Sequence, residues 1–174
     1  IMSIPSTEAP RVITEVAANG VAHVRLSRGD KLNALDSAMF EALIAAAAGL
    51  AEVADLRCVV LSGEGRGFCA GLDLAMFAVL TGDAPPLAAR SHGRANFFQQ
   101  TAVAWRDLAV PVIAAVHGVC FGGGLQLAAG ADIRIAAPDA RLAVMEMKWG
   151  IVPDMGHYAL WRDVVREDHL RELT

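Results

Sequence analysis

The sequence predicts a single α/β domain, and three observations favour this fold class. The chain has 174 residues, about the size of one domain. Hydrophobic residues make up 55% of it and charged residues 20%, which suffices for a large core and is far from the composition of disordered proteins. Segments with the pattern of strands alternate with segments that have the spacing of helices, the order typical of α/β proteins.

The first half of the chain predicts strands on either side of a helix. Apolar and polar residues alternate after Gly20, as in a strand with one side facing solvent. Asp36 and Ser37 are both suitable N-caps, and apolar residues recur on one helix face behind them. The predicted elements are a strand at residues 21–27, a helix from 36 or 37 to 53, a buried strand at 58–61, a helix at 72–80 and a surface loop at 82–86.

The second half continues in the same order. Residues 108–131 are apolar over a length that could cross a bilayer, but Pro111 and several glycines interrupt them. This segment is better interpreted as a strand, a glycine turn and the start of a helix. The predicted elements are a helix at 91–108, a strand at 112–116, a helix opening at 125–129, strands at 132–136 and 141–145, and a segment of helical composition at 161–174.

Charge, leader pattern and cysteine usage narrow the possible partners and compartments. The net charge is −4, whereas domains that bind nucleic acid are usually basic. The first ten residues, IMSIPSTEAP, have neither a basic n-region nor an apolar h-region. Three cysteines without a CxxC pair indicate reduced thiols. We therefore expect a cytoplasmic protein that binds neither nucleic acid nor a membrane.

Two glycine-rich segments do not fit the nucleotide-binding motifs. Gly65-x-Gly67-x-x-Ala70 matches a relaxed dinucleotide fingerprint, but Asp83, at the distance of the ribose-binding acid, falls in a predicted loop. Residues 122–124 lack the Lys-Ser/Thr of a P-loop, and no GxSxG or HExxH motif occurs. The sequence thus argues against a dinucleotide site, a P-loop, a serine hydrolase and a zincin.

The same two segments share another property. Residues 66–73 and 117–124 each leave a predicted buried strand and lead towards a helix, with small residues that let a ligand oxygen approach the backbone. Free N–H groups at a helix start carry partial positive charge, and two that converge on one point form an oxyanion hole. Either loop alone could serve only a tight turn or close packing, but the two together favour the oxyanion hole.

Four motifs resemble those of the crotonase superfamily, the enoyl-CoA hydratase/isomerase proteins. They occur in the right order and spacing from about residue 12 to the end. The motifs are Lys31-Leu32-Asn33-Ala34-Leu35; Phe68-Cys69-Ala70-Gly71-Leu72-Asp73; Gly118 through Gly124, followed by Ala131-Asp132-Ile133-Arg134; and Glu146-Met147-Lys148-Trp149-Gly150-Ile151-Val152-Pro153. The resemblance implies one crotonase-like domain over residues 1–174, with a spiral of ββα units at 11–160. It also implies a C-terminal helical region, of which residues 161–174 are only the start.

The resemblance further implies a site for an acyl-CoA thioester. The backbone N–H groups of Ala70 and Gly123 would bind the thioester oxygen as an enolate forms, and Lys31 would approach the nucleotide end. Further candidate cations are Arg28, Arg66 and Lys148. The implied substrate-binding residues are Lys31, Ala70, Gly71, Leu72, Asp73, Gly122 and Gly123. A homotrimer or dimer of trimers is implied, without a metal or redox cofactor, since coenzyme A enters as part of the substrate.

The acid/base positions depart from the hydratase pattern. Hydratases of this family hold water between two carboxylates, and this sequence has Gln126 at the first position and Glu146 at the second. A glutamine amide can orient a water but cannot exchange a proton at neutral pH. Glu146 is then the acid/base, and burial would raise its pKa.

Two later residues leave alternatives open. Asp154 lies where dienoyl-CoA isomerases of the family carry an aspartate that moves a proton at the far carbon, but it could equally be the N-cap of a helix from Gly156 onward. His157 replaces a glycine usual in the family and could narrow the acyl pocket. His92 and His169 have no partners at ligand spacing and predict surface positions.

The sequence therefore predicts an acyl-CoA enzyme of the enoyl-CoA hydratase/isomerase type. Isomerisation is favoured over hydration because Gln126 stands in place of a carboxylate. The alternatives are a dienoyl-CoA isomerase that uses Glu146 and Asp154, and a catalytically weak acyl-CoA-binding paralogue.

Overall fold

The computed structural model describes residues 9–76, 78, 85–162 and 164–174. The strands are β1 Val12–Val16, β2 Val21–Leu26, β3 Cys58–Gly63, β4 Gly67–Cys69, β5 Val112–Val116, β6 Val119–Phe121, β7 Ile133–Ala136 and β8 Arg141–Ala143. The helices bounded within these residues are α1 Ser37–Ala51, α2 Phe97–Arg106, α3 Gly123–Gly130, α4 His157–Trp161 and α5 Glu167–Leu173. Two 3-10 turns span Gly29–Lys31 and Met145–Trp149.

The strands form two sheets. The larger has the order β1-β2-β3-β5-β7, in which β1 and β2 are antiparallel and the other pairs are parallel. The smaller has the order β4-β6-β8, and both of its pairs are parallel. From β3 onward, each strand of the larger sheet is followed by a short strand of the smaller one. This repetition of two strands and a helix confirms the predicted α/β class and its ββα units.

Three strands are absent from the elements that the sequence predicts. β4 and β6 are only three residues long, and neither shows apolar alternation beside its glycines. They are strands because they pair with each other and with β8, a contact between distant segments. β1 has four β-branched residues out of five, a composition that favours a strand and that the sequence prediction did not include. It pairs with β2 in an antiparallel register, in which Val12 lies opposite Leu26.

The first helix forms as the sequence predicts. Asp36 is its N-cap, and Oδ1 of this residue accepts the N–H of Met39 at 2.8 Å. Arg11 Nε donates to Oδ2 at 3.0 Å, so the cap is also tied to the start of β1. The buried face of the helix consists of Met39, Phe40, Leu43, Ala47 and Leu50, and it packs on α2 through the T-shaped ring pair Phe40–Phe98.

Two predicted helices begin later than expected. Helix α2 starts at Phe97 and not at residue 91, because Asn96 forms a capping box with Gln99. The helix predicted from residue 72 does not start there, since Leu72 forms a parallel bridge with Leu35. Met76 and Ala78 are helical, and the other residues between 77 and 84 lie outside the described residues.

Helix α3 is buried along its whole length. A Cβ on Gly130 would lie 2.1 Å from the carbonyl oxygen of Ala102 on α2, so only glycine permits this close approach of the two helices. The apolar segment that could have crossed a bilayer consists of β5, β6 and α3. Within the described part of the chain, no helix is long and apolar enough to span a membrane.

Candidate active site

The two glycine-rich loops, which follow β4 and β6, meet at the carboxyl ends of these strands in the smaller sheet. β4 and β6 are parallel neighbours with Cys69 opposite Cys120, so the loops that follow them leave the sheet on the same side. Gly71, at φ +89°, touches the second loop, because a Cβ there would lie 2.7 Å from the oxygen of Phe121 and 3.3 Å from the nitrogen of Gly123. The predicted convergence of the two loops is therefore present.

One of the two predicted oxyanion donors is already used within the protein. The N–H of Ala70 donates to the carbonyl of Leu32 at 2.9 Å, which leaves it unavailable to a ligand oxygen, and the role predicted for Ala70 is wrong. Leu35 bonds to the residues on either side of Leu72, accepting from Asp73 N–H and donating to the Gly71 carbonyl. In a parallel bridge this geometry turns the N–H of Leu72 itself away from Leu35.

The N–H groups of Leu72 and Gly123 have no hydrogen-bond acceptor among the described residues. Gly123 is the first residue of α3, where an N–H has no partner within the helix. Both residues line the same cavity. Sequence reasoning placed Leu72 among the binding residues but missed its N–H as a donor, because the choice between adjacent backbone groups depends on the bridge to Leu35.

Glu146 and Gln126 form a buried pair beside these N–H groups. Gln126 Nε2 donates to Glu146 Oε1 at 2.6 Å, and Gln126 Oε1 accepts the backbone N–H of Met155 at 2.8 Å. Glu146 is 9% exposed and Gln126 is 1% exposed. Glu146 Oε2 is also buried, and the described residues offer it no hydrogen-bond partner.

Burial raises the pKa of Glu146 above its usual value. The hydrogen bond from Gln126 opposes this rise, and the nearby carboxylate of Asp154 adds to it. Loss of hydration also raises the pKa of Asp154, although this residue is more exposed. Asp154 does not cap a helix, because α4 begins after Gly156, which makes no side-chain cap bond.

Both carboxylates line an apolar cavity of about 530 Å³. It is bounded by Leu35, Phe40, Leu72, Pro85, Leu87, Phe98, Gly123, Gln126, Glu146, Ile151, Val152, Asp154 and Met155. Apolar side chains thus form most of the wall, and the polar groups are concentrated near Glu146. An arrangement of this kind suits an apolar ligand with one polar centre.

A second cavity, of about 510 Å³, continues from the first and is more cationic. The two share Leu72, Gly123, Glu146 and Ile151. Lys31 and Lys148 line the second cavity, and Lys148 Nζ lies 5.9 Å from the ring centre of the half-exposed Trp149.

The remaining residues predicted to bind the substrate differ in whether they line a cavity and in whether their side chains are already bonded within the protein. Ala70, Gly71, Asp73 and Gly122 line the second cavity. The Asp73 carboxylate accepts from Ala75 N–H at 3.0 Å and from Arg28 Nη1 at 2.6 Å, two contacts that lower its pKa. Arg28 is committed to this structural contact, and Arg66 lines neither cavity.

His157 is buried, but it does not line the acyl cavity. It lies at the start of α4, 1% exposed, with its ring against Tyr158 and Trp161. Neither ring nitrogen has a hydrogen-bond partner among the described residues. The expectation that His157 narrows the acyl pocket is therefore not supported. Burial of the imidazole lowers the pKa of His157 below its usual value.

This burial predicts an acid-sensitive fold. The pKa of His157 is lower in the folded than in the unfolded chain, where it is about 6.5, so the unfolded chain binds more protons near that pH. We expect the stability contribution to be complete above about pH 7, to begin to fall near pH 6.5, and to be lost as the pH drops through the lower pKa of the folded state. Denaturant unfolding at several pH values will show a weaker pH dependence for His157→Leu. His23→Leu, on the exposed face of β2, is the matched control; equal slopes for wild type and His157→Leu would contradict the prediction.

Comparison with known proteins agrees with this geometry. The family model of enoyl-CoA hydratase/isomerase matches residues 16–173. The chain belongs to the enoyl-CoA hydratase/isomerase family. The resemblance drawn from the four motifs is thereby confirmed, as is the crotonase-like fold.

Individual relatives include isomerases and hydratases. The chain is 36% identical over 156 residues to human mitochondrial Delta(3,5)-Delta(2,4)-dienoyl-CoA isomerase, covering 87% of this chain and 47% of the human protein. It is 38% identical over 138 residues to 1,2-epoxyphenylacetyl-CoA isomerase of Escherichia coli K12, covering 79% and 52%. The crystal structure of an enoyl-CoA hydratase from Mycobacterium smegmatis aligns with a TM-score of 0.78 and 34% identity, covering 95% of this chain and 62% of that one. The chain thus spans about half the length of the relatives it matches in sequence.

Proposed function

We propose that this chain carries the site of a double-bond isomerase acting on an unsaturated acyl-CoA thioester. The observation that supports this function best is the pair of carboxylates, Glu146 and Asp154, in one apolar cavity beside two backbone N–H groups that have no acceptor among the described residues. Apolar walls suit an acyl chain, and the N–H groups suit the single oxygen on which charge develops.

In this proposal Leu72 and Gly123 form the oxyanion hole. Glu146 removes a proton from C2 of a 3-enoyl thioester, and the electrons of that C–H bond form the enolate, whose charge rests on the thioester oxygen. Return of the proton to C4 moves the double bond from C3–C4 to C2–C3. In a 3,5-dienoyl thioester, a protonated Asp154 is the candidate acid that gives a proton to C6. This leaves Glu146 protonated and Asp154 ionised, and transfer of one proton from Glu146 to Asp154 restores the site.

Hydration is less well supported. A hydratase must hold a water and divide its protons between two groups, and Gln126 is engaged at both its nitrogen and its oxygen. An amide that is 1% exposed and bonded at both ends is a poor ligand for a reactive water. We therefore expect slow hydration of crotonyl-CoA.

To test this proposal, the protein is incubated separately with 3-enoyl-CoA, 3,5-dienoyl-CoA and crotonyl-CoA in deuterated water. We expect the double bond of 3-enoyl-CoA or of 3,5-dienoyl-CoA to migrate, which absorbance measures. Nuclear magnetic resonance should show deuterium at C2 or at the carbon that is protonated, C4 or C6. Rapid hydration of crotonyl-CoA without isomerisation would overturn the proposal. Binding without deuterium exchange would instead favour an acyl-CoA-binding paralogue.

The second cavity is the proposed place for the phosphates of coenzyme A. Because Lys31 and Lys148 both line it, removal of their charges in Lys31→Gln/Lys148→Gln should weaken acyl-CoA binding by roughly 3- to 10-fold at low salt, on the scale of exposed ion pairs. Calorimetric titration at two salt concentrations measures this loss, which salt should reduce. Arg57→Gln removes an exposed cation that lines neither cavity and serves as the control. Equal losses in the control and the double variant would refute the assignment.

A further inference from the structure

Gln126 connects three separate parts of the site. It lies in the first turn of α3, where its own N–H donates to the carbonyl of Gly122. Its side chain reaches Glu146 on the 3-10 turn after β8 and the backbone of Met155, the residue after Asp154. A single amide thus joins the helix that carries Gly123 to the segments that carry the two carboxylates.

The orientation of this amide is determined by its partners. A backbone N–H can only donate, so the group that faces Met155 must be the oxygen of Gln126. The nitrogen then faces Glu146 and can only donate to it, which requires an acceptor there. Rotation of the amide by 180° would place two donors against each other at Met155, so one orientation is strongly preferred.

The consequence for Glu146 is a difference between its two oxygens. Oε1 receives the hydrogen bond from Gln126, whereas Oε2 is buried and has no partner among the described residues. A buried acceptor without a partner is costly, and it is a favourable place for a proton to bind. A carboxylate with two equivalent oxygens would lack this preference.

The geometry points to Gln126 as a positioning residue that holds Oε1 of Glu146 and thereby assigns proton exchange with the substrate to Oε2. This inference rests on the proposed function of Glu146 as acid/base and adds a role that glutamine performs as an amide. Because the same side chain holds Met155, it also fixes the segment of Asp154 relative to Glu146. The role differs from the one expected from the sequence, in which Gln126 orients a water.

The first test removes the amide and keeps the length of the side chain. In Gln126→Met the carboxyl loses a hydrogen bond to its charged form, so the acidic limb of the kcat/KM profile should move up by about one pH unit. The plateau kcat should fall by up to about 10²-fold from misplacement of the carboxyl, with KM nearly unchanged. The other titratable groups that line the two cavities with Glu146 are the same in both proteins; they are Asp154, Lys31, Asp73 and Lys148. Gln100→Met, on α2 and outside both cavities, is the matched control.

A second variant replaces the amide by a group that can imitate it only when protonated. In Gln126→Glu a protonated carboxyl can donate to Glu146 and accept from Met155, but an ionised one would repel Glu146 across a hydrogen-bond distance. The pair should therefore share one proton over a limited pH range, which gives a bell-shaped profile with activity lost at high pH. The descending limb should be absent in wild type and in Gln126→Met, neither of which has a titratable group at this position.

A measurement without turnover separates this inference from the proposed function. Titration of [13C]glutamate-labelled protein by nuclear magnetic resonance follows the Glu146 carboxyl, which is identified by its loss in Glu146→Gln. We expect a higher titration midpoint in Gln126→Met than in wild type and Gln100→Met. An unchanged midpoint together with an unchanged pH profile would overturn the positioning role even in an active isomerase. A shifted midpoint in a chain that isomerises nothing would leave the contact established and refute the proposed function, and with it the assignment of proton exchange to Oε2.

Discussion

Glu146→Gln should lower isomerisation and deuterium exchange by about 10²–10⁴-fold, the usual cost of losing a general acid/base. The substitution keeps the size of the side chain and allows the new amide oxygen to accept the hydrogen bond from Gln126 Nε2, which is 2.6 Å from Oε1 in the wild type. The packing of the cavity is therefore retained while the proton acceptor is lost. Affinity for a CoA thioester should remain within a few fold.

Two measurements check this result. The rate of double-bond migration gives the loss of chemistry, and calorimetric titration gives the affinity. Glu52→Gln, at the exposed C-cap of α1, makes the same chemical change outside the cavities and should be fully active. If Glu146→Gln were nearly as active as wild type on every thioester tested, Glu146 could not be the base.

The pH dependence of the wild type should reflect the environment of Glu146. Its carboxyl must be ionised to remove a proton from carbon, and burial raises its pKa above the ordinary value. The rate should therefore rise with pH, and the rise should occur at higher pH than for an exposed glutamate. Glu146→Gln should lack this limb.

Gly123→Val should lower activity by at least the value of one oxyanion donor, about 10²–10³-fold. A Cβ on Gly123 would lie 2.9 Å from Leu35 Cδ1 and 3.1 Å from Met155 Sδ, so a branched side chain must displace both residues. Leu35 bonds to the backbone on either side of Leu72, and Met155 holds Gln126. The substitution would thus disturb the second proposed donor as well as the first.

The same substitution at an exposed glycine provides the control. Gly49 lies on α1, and a Cβ added there would have no atom within 4 Å apart from its chain neighbours and the backbone of its own helix, so Gly49→Val should leave helix stability unchanged or slightly raised and should cost no activity. Circular dichroism and thermal unfolding would show whether Gly123→Val remains folded. A folded and fully active Gly123→Val protein would place the oxyanion hole elsewhere.

The sequence by itself determined the fold class, the family and the region of the site. Long elements have a signal that their own residues carry, such as the apolar face of α1 behind the Asp36 cap. The four motifs likewise marked Glu146, Gly123 and the two converging loops as candidates for the site, because glycine and acidic side chains are distinctive at fixed spacings. Short strands such as β4 and β6 escaped detection, since pairing between distant segments forms them.

Tertiary structure decided which polar groups are free and which are used. Every residue except proline has an N–H, so sequence could not tell that Ala70 donates to Leu32 while Leu72 is turned away from Leu35. The same reason applies to Gln126, whose role depends on the backbone N–H of Met155, 29 residues away. His157 stands close to Asp154 in sequence, yet it is buried against Tyr158 and Trp161 and not on the cavity wall. A hydrogen bond needs two partners at the right distance and angle, and only the folded chain brings the second partner into place.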